Sequence, residues 1–164
     1  MARLLTLCCC ACRSANPSGA EAAPIELGQL DPTQPVKARA DATIRTPYYQ
    51  IRASLPEECS PPRPALGSAA TLRLGIELAI EPTSDVQVPA DPYYARLVDA
   101  ERNVYEATLG GCGEPLAPTL PARGQTARGW IVFELPRSAR ATTLLYAPEL
   151  VGASKTELDI ELQR

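Results

Sequence analysis

Apolar and polar residues alternate with a period of two along most of the chain from residue 40 onward. In "TLRLGIELAIE", Leu72, Leu74, Ile76, Leu78 and Ile80 share one side, and Thr71, Arg73, Gly75, Glu77 and Ala79 share the other. Successive side chains of an extended strand point to opposite faces, so this segment predicts a strand with one buried and one wet face. "YYQIRASL" groups Tyr49, Ile51, Ala53 and Leu55 in the same way. "GWIVFEL" sets Ile131, Phe133 and Leu135 against Trp130, Val132 and Glu134, and "TELDIELQ" sets Leu158, Ile160 and Leu162 against Glu157, Asp159 and Glu161. "YYARLVD", "VYEATL" and "TTLLYAP" are further strand candidates.

Turn signals separate these segments: Pro61-Pro62, Glu81-Pro82, Pro89-Ala90-Asp91-Pro92, Gly110-Gly111, Arg123-Gly124 and Gly152. "LVDAERNVYEA" reads as a hairpin with its tip at Asp99 to Asn103, where Asn103 is suited to a left-handed turn conformation. About seven to eight short strands at this spacing predict an all-β fold, an immunoglobulin-like antiparallel β-sandwich. The 17 prolines among 164 residues agree with this, because proline breaks a helix's hydrogen-bond ladder.

The first forty residues follow another rule. Arg3 precedes an apolar run from Leu4 to Ala11, and the chain turns polar at Arg13. This order predicts a secretory signal peptide over residues 1–12, too short to span a bilayer as a helix. The segment resembles a bacterial lipoprotein signal, which ends in the cysteine that receives the lipid. Cys12 fits that position with the longer apolar stretch, and Cys10 is the alternative register. The competing reading of "CCCAC" as a metal or redox cluster is disfavoured, because zinc ligands favour cysteine pairs two to four residues apart. Residues 13–40, rich in Ala, Pro, Gly and Ser, read as a flexible tether, a tail with no role beyond spacing; docking of the part near "IELGQL" on the domain is the less favoured alternative. The sandwich is then expected over residues 41–164.

Cys59 and Cys112 remain once the leader is set aside. An even pair in an exported chain predicts a disulfide. Closing a loop of roughly fifty residues stabilises a fold by about 4 kcal/mol in the chain-entropy model.

At "LPARGQTARGWIVFELPRSARATTLLYAP" the chain resembles the domain of unknown function 4352 family, carried by Leu120, Gly124, Gly129, Ile131, Val132, Phe133, Leu135 and Pro136, and by "LLYAP" at 144–148. "YYARLVDAERNVYEA" matches the family's hairpin, with Arg102 where a glycine is usual. The resemblance covers residues 42 to 164. It implies a telokin-like, immunoglobulin-like extracytoplasmic domain, common on secreted proteins and lipoproteins, and supplies no catalytic residues.

Composition narrows the chemistry. The net charge is −3 with mixed signs, which argues against nucleic acid. There is no histidine, so neither Ser-His-Asp nor Cys-His catalysis is available. Glu57-Glu58 and the Asp99/Glu101 pair are carboxylate candidates for a hydrolase, the least favoured reading, because in loops without pocket aromatics they read as solvated charge. Asp99, Glu101 and Asn103 alternate as in a calcium loop, but Val104 and Gly110 stand where that motif needs glycine and glutamate. No metal and no cofactor is expected. The expected partners are the lipid membrane, through the N-terminal anchor, and another envelope protein. Such contacts come from the long loops 56–70, 82–92 and 110–128 and from the outward rings of the tyrosine pairs, Tyr48 and Tyr93. The leading reading is a non-enzymatic, lipid-anchored, extracytoplasmic binding module, and the alternative is a purely structural envelope module.

Overall fold

The computed structural model describes residues 25–26, 35–59, 71–108 and 110–163. Among them are eleven strands and no α-helix: β1 (Ile25–Glu26), β2 (Val36–Arg39), β3 (Thr43–Arg45), β4 (Tyr49–Ala53), β5 (Glu57–Glu58), β6 (Thr71–Pro82), β7 (Ala95–Asp99), β8 (Val104–Thr108), β9 (Ala127–Pro136), β10 (Ala141–Tyr146) and β11 (Leu158–Glu161). A single 3-10 turn, Pro92–Tyr94, leads into β7.

The strands form a β-sandwich. One layer runs β1-β3-β4-β6-β9, with β5 also on β6, and the other runs β7-β10-β11-β2. Strand β8 belongs to both. Its first half, Val104 to Glu106, pairs with β7, and Ala107 and Thr108 pair with β9. The layers also meet at residues 40–42, where the Ala40 amide donates to the Glu161 carbonyl of one layer (2.8 Å) and the Asp41 amide to the Ala53 carbonyl of the other (2.7 Å).

The period-two segments place the core. Ile76, Leu78 and Ile80 of β6 face Ile131, Phe133 and Leu135 of β9, Leu144 of β10, and Leu158 and Ile160 of β11 in one cluster, each at most 1% exposed. Each such side chain contributes about 1.5–3 kcal/mol relative to exposure. Leu72 and Leu74, at the outer end of β6, are only half-buried against that cluster.

Three sequence expectations shift. The sandwich begins before residue 41, because Val36 and Ala38 are buried while Lys37 and Arg39 face solvent on β2. Four residues beside an Ala/Pro-rich stretch are too few to show a period. The sandwich is antiparallel except at its two edges, where β1 runs parallel to β3 and β2 parallel to β11. The first of these pairings joins Ile25 and Glu26, the start of "IELGQL", to Ile44 and Arg45. Third, the left-handed residue of the hairpin tip is Arg102 (φ 68°), not Asn103. Cys10, Cys12 and most of the expected tether lie outside the described residues.

Candidate functional site

Register decides which loops share an end. Tyr49 pairs with Pro82, Ile80 with Ala127, and Tyr146 with both Ala95 and Leu158. The turn at 46–48, the loop at 83–91, the approach to β9 and the loop at 147–157 therefore leave the sandwich together. Main-chain bonds tie them. The Tyr48 carbonyl accepts from the Thr83 amide (2.8 Å), Ala90 and Thr119 exchange two bonds of 2.9 Å, and the Gly124 amide donates to Pro82 (3.0 Å). Gly124 holds φ 76°, the left-handed turn its sequence position predicts. Asp91 caps the 3-10 turn, its Oδ1 accepting from the Tyr93 amide at 2.8 Å.

Loops 82–92 and 110–128, expected as contact surface, thus meet at this end. A hollow of about 270 Å³ lies between them, lined by residues that include Asp85, Val86, Leu120 and Arg123. The Arg123–Asp85 pair across it, at 3.5 Å, is exposed and contributes little to stability. Tyr93 is 60% exposed, as its outward position predicts, while Tyr94 packs edge-on against Tyr146 at 6.5 Å. Tyr48 is half-buried and holds the 83–84 turn through its carbonyl, and Tyr49 is fully buried. Leu120 (59% exposed) and Val151 (66%) project from neighbouring loops of the same end. Nothing in the pattern of the chain marks Val151, because one apolar residue in a turn-rich stretch has no period.

The opposite end carries the carboxylates considered for chemistry. Asp99 is only 3% exposed and accepts four bonds inside its own hairpin: Oδ1 from the Glu101 and Asn103 amides (2.9 and 2.8 Å), Oδ2 from Asn103 Nδ2 and the Tyr105 hydroxyl (2.9 and 2.8 Å). The Asn103 side-chain bond, ahead of burial and the other donors, holds the Asp99 carboxyl below the usual aspartate range. Asp99 is therefore an organiser of its turn and does not pair with the exposed Glu101. Asn103 points its amide nitrogen at the carboxylate, and among the described residues no three acids, cysteines or histidines gather as a metal site. Glu57 and Glu58 are exposed on β5, where Glu58 meets Arg137 at 3.3 Å.

Cys59 and Cys112, 53 positions apart in the chain, are joined as a disulfide with Cα atoms 5.0 Å apart. The bridge lies on the outer face of β6, over Gly75. A Cβ at Gly75 would collide with Cys112 Sγ, would come within 2.7 Å of Cys59 Sγ, and would lie 2.9 Å from the Trp130 ring. Gly75, placed by periodicity on a wet face, is glycine because the sulfurs occupy its side-chain space.

No family model matches the chain, that of the domain of unknown function 4352 included, and no curated protein matches it. Solved structures do. A secreted protein of Mycobacterium tuberculosis, MPT63, is 12% identical over 79% of this chain and 98% of its own, with a TM-score of 0.61. The Bacillus subtilis protein ycdA, named as a candidate lipoprotein, is 16% identical over 75% of this chain, TM-score 0.60, and the match spans 39% of ycdA. The yjhA protein of the same organism is 14% identical over 76% of this chain and 99% of its own, TM-score 0.58. At these identities the likeness shows the β-sandwich fold.

Proposed function

We propose that the chain is a non-enzymatic extracytoplasmic module, held at a membrane by lipid on Cys12 (Cys10 in the alternative register), that binds an envelope protein through its loop end. One observation carries the reading. Among the described residues, three of the four exposed large apolar side chains, Tyr93, Leu120 and Val151, sit on loops leaving that end. Aromatic and aliphatic side chains grouped on loops of a rigid sandwich suit protein contact. The names of the fold neighbours, a secreted protein and a candidate lipoprotein, support export and anchoring. The hairpin with Arg102 and the strand at 129–136 support kinship with the domain of unknown function 4352 family. Among the described residues no helix is long and apolar enough to cross a membrane.

The test is capture from envelope extract with the wild-type chain and with a Tyr93→Ser/Leu120→Ser/Val151→Ser variant. A specific partner retained by the first and lost by the second is the expected result. Equal capture by both would place binding away from these three side chains and sink the loop-end reading, and capture by neither would favour a structural envelope module. Intact mass of the protein from its native envelope checks the anchor separately, since a diacylglycerol-bearing species should begin at Cys12 or Cys10.

A further inference from the structure

We propose that the outer face of the first layer binds a small zwitterion of amino-acid size, with its carboxylate on Arg52 and Arg128 and its ammonium on Asp41. Register places the parts. Ala79 of β6 pairs with Arg52 of β4 on one side and with Arg128 of β9 on the other. Neighbouring strands lie about 4.8 Å apart, so the two arginine stems rise about 10 Å from each other across a single methyl group. The short Ala79 side chain leaves a hollow of about 280 Å³ between them, and Asp41, Ser54 and Glu77 complete its walls.

The hydrogen bonds inside the hollow leave two charged groups uncommitted. Arg128 donates from Nε and Nη2 to Glu77 at 2.7 and 2.6 Å, which fixes its guanidinium plane and leaves Nη1 open. Those bonds hold the Glu77 carboxyl below the usual glutamate range, so the pair stays charged. The Ser54 hydroxyl donates to the Leu55 carbonyl (2.9 Å) and accepts from the Glu77 amide (3.0 Å). Among the described residues, however, the Arg52 guanidinium meets only Asp41, and at 4.0 Å, beyond the roughly 2.7–3.2 Å of a hydrogen bond. A planar guanidinium with open N–H groups fits a carboxylate, and an open carboxylate fits an ammonium. One zwitterion serves both. The two acids and two bases lining the hollow carry no net charge, which favours such a ligand over a phosphate dianion. The hollow falls just below the roughly 300–1,000 Å³ of drug-sized ligand pockets, which suits a single amino acid. The site uses none of the side chains of the loop-end contact surface and stands whether or not that end binds a partner.

A chemical-shift titration of the isotope-labelled full chain tests it. Alanine should give saturable shifts at the Nε–H signals of Arg52 and Arg128 and at the Ala79 amide. N-acetylalanine, which keeps only the carboxylate, alaninamide, which keeps only the ammonium, and inorganic phosphate should each bind at least about tenfold more weakly. Arg52→Gln and Asp41→Asn should each weaken alanine binding at least about tenfold with the core amide signals unmoved. Both positions are exposed, and Asn tolerates the left-handed backbone of Asp41 (φ 64°). No saturable shift with alanine, an affinity for N-acetylalanine, alaninamide or phosphate equal to that for alanine, or variants that bind as well as the wild type overturns the proposal.

Discussion

The two ends of the sandwich solve the same problem in opposite ways. At the hairpin end, the chain reverses around Asp99, whose two oxygens absorb four donors, and the bridge over Gly75 pins the neighbouring outer face. At the loop end, the chain reverses through longer segments tied mainly by main-chain bonds, and these leave Tyr93, Leu120 and Val151 in solvent. Polar side chains turned inward stabilise the fold and offer nothing outward. Apolar side chains turned outward add little to the fold and remain open for contact. Substitutions at the first end should therefore cost stability, and those at the second should cost binding.

The largest effect is expected at Gly75. Gly75→Val places side-chain carbon where the sulfurs meet, so it should cost about 4 kcal/mol in denaturant unfolding and yield two free thiols by mass labelling. Placed in a Cys59→Ser/Cys112→Ser background, the same change should cost far less, and an equal cost there would detach Gly75 from the bridge.

Asp99→Asn comes next. It keeps one oxygen for the Glu101 and Asn103 amides but turns an NH2 group toward Asn103 Nδ2 and the Tyr105 hydroxyl. A fall of about 5 °C in melting temperature at neutral pH is expected. The sign of the pH dependence follows from the lowered carboxyl value. Asp99's contribution is present above the ordinary aspartate value of about 3.9 and is lost as pH falls through the lower folded value. The gap between wild type and variant should close there, and a gap that persists in strong acid would point to packing instead of charge.

Arg102→Gly should act in the other direction. At φ 68° a side chain is strained, so the change should stabilise by up to about 1 kcal/mol, less what a freer unfolded chain takes back. The smallest stability effect belongs to the loop end, where Tyr93→Ser, Leu120→Ser and Val151→Ser should each stay within about 0.5 kcal/mol while capture is lost. A large destabilisation from any of them would dissolve the contrast between the ends.

What the sequence disclosed follows the same division. Strands β4, β6, β9 and β11 were readable because each buries one face against a common core, which forces the period of two. Strand β8 gave a weaker pattern, because of its five residues only Ala107 is buried. Strand β2 blends into the tether by pattern, since Val36 and Ala38 are its only inward residues. Strand alternation puts Tyr93 outward; it is exposed, but on the 3-10 turn Pro92–Tyr94 ahead of β7 and not on a strand. Leu120 entered only as a family turn position. The role of Gly75 was illegible because its cause lies 16 and 37 positions away, in two cysteines whose meeting no local pattern records. Asn103 was expected to carry the left-handed turn by propensity, but Asp99 engages both its amides and leaves Arg102 to take the strain.

Strand β8 has a mechanical consequence. Because Val104 to Glu106 are stitched to one layer and Ala107 and Thr108 to the other, the layers have a seam instead of a cleavage plane. Force or heat that parts them must tear this strand from one neighbour. The protein should therefore yield as a single block, with amides of both layers losing exchange protection together.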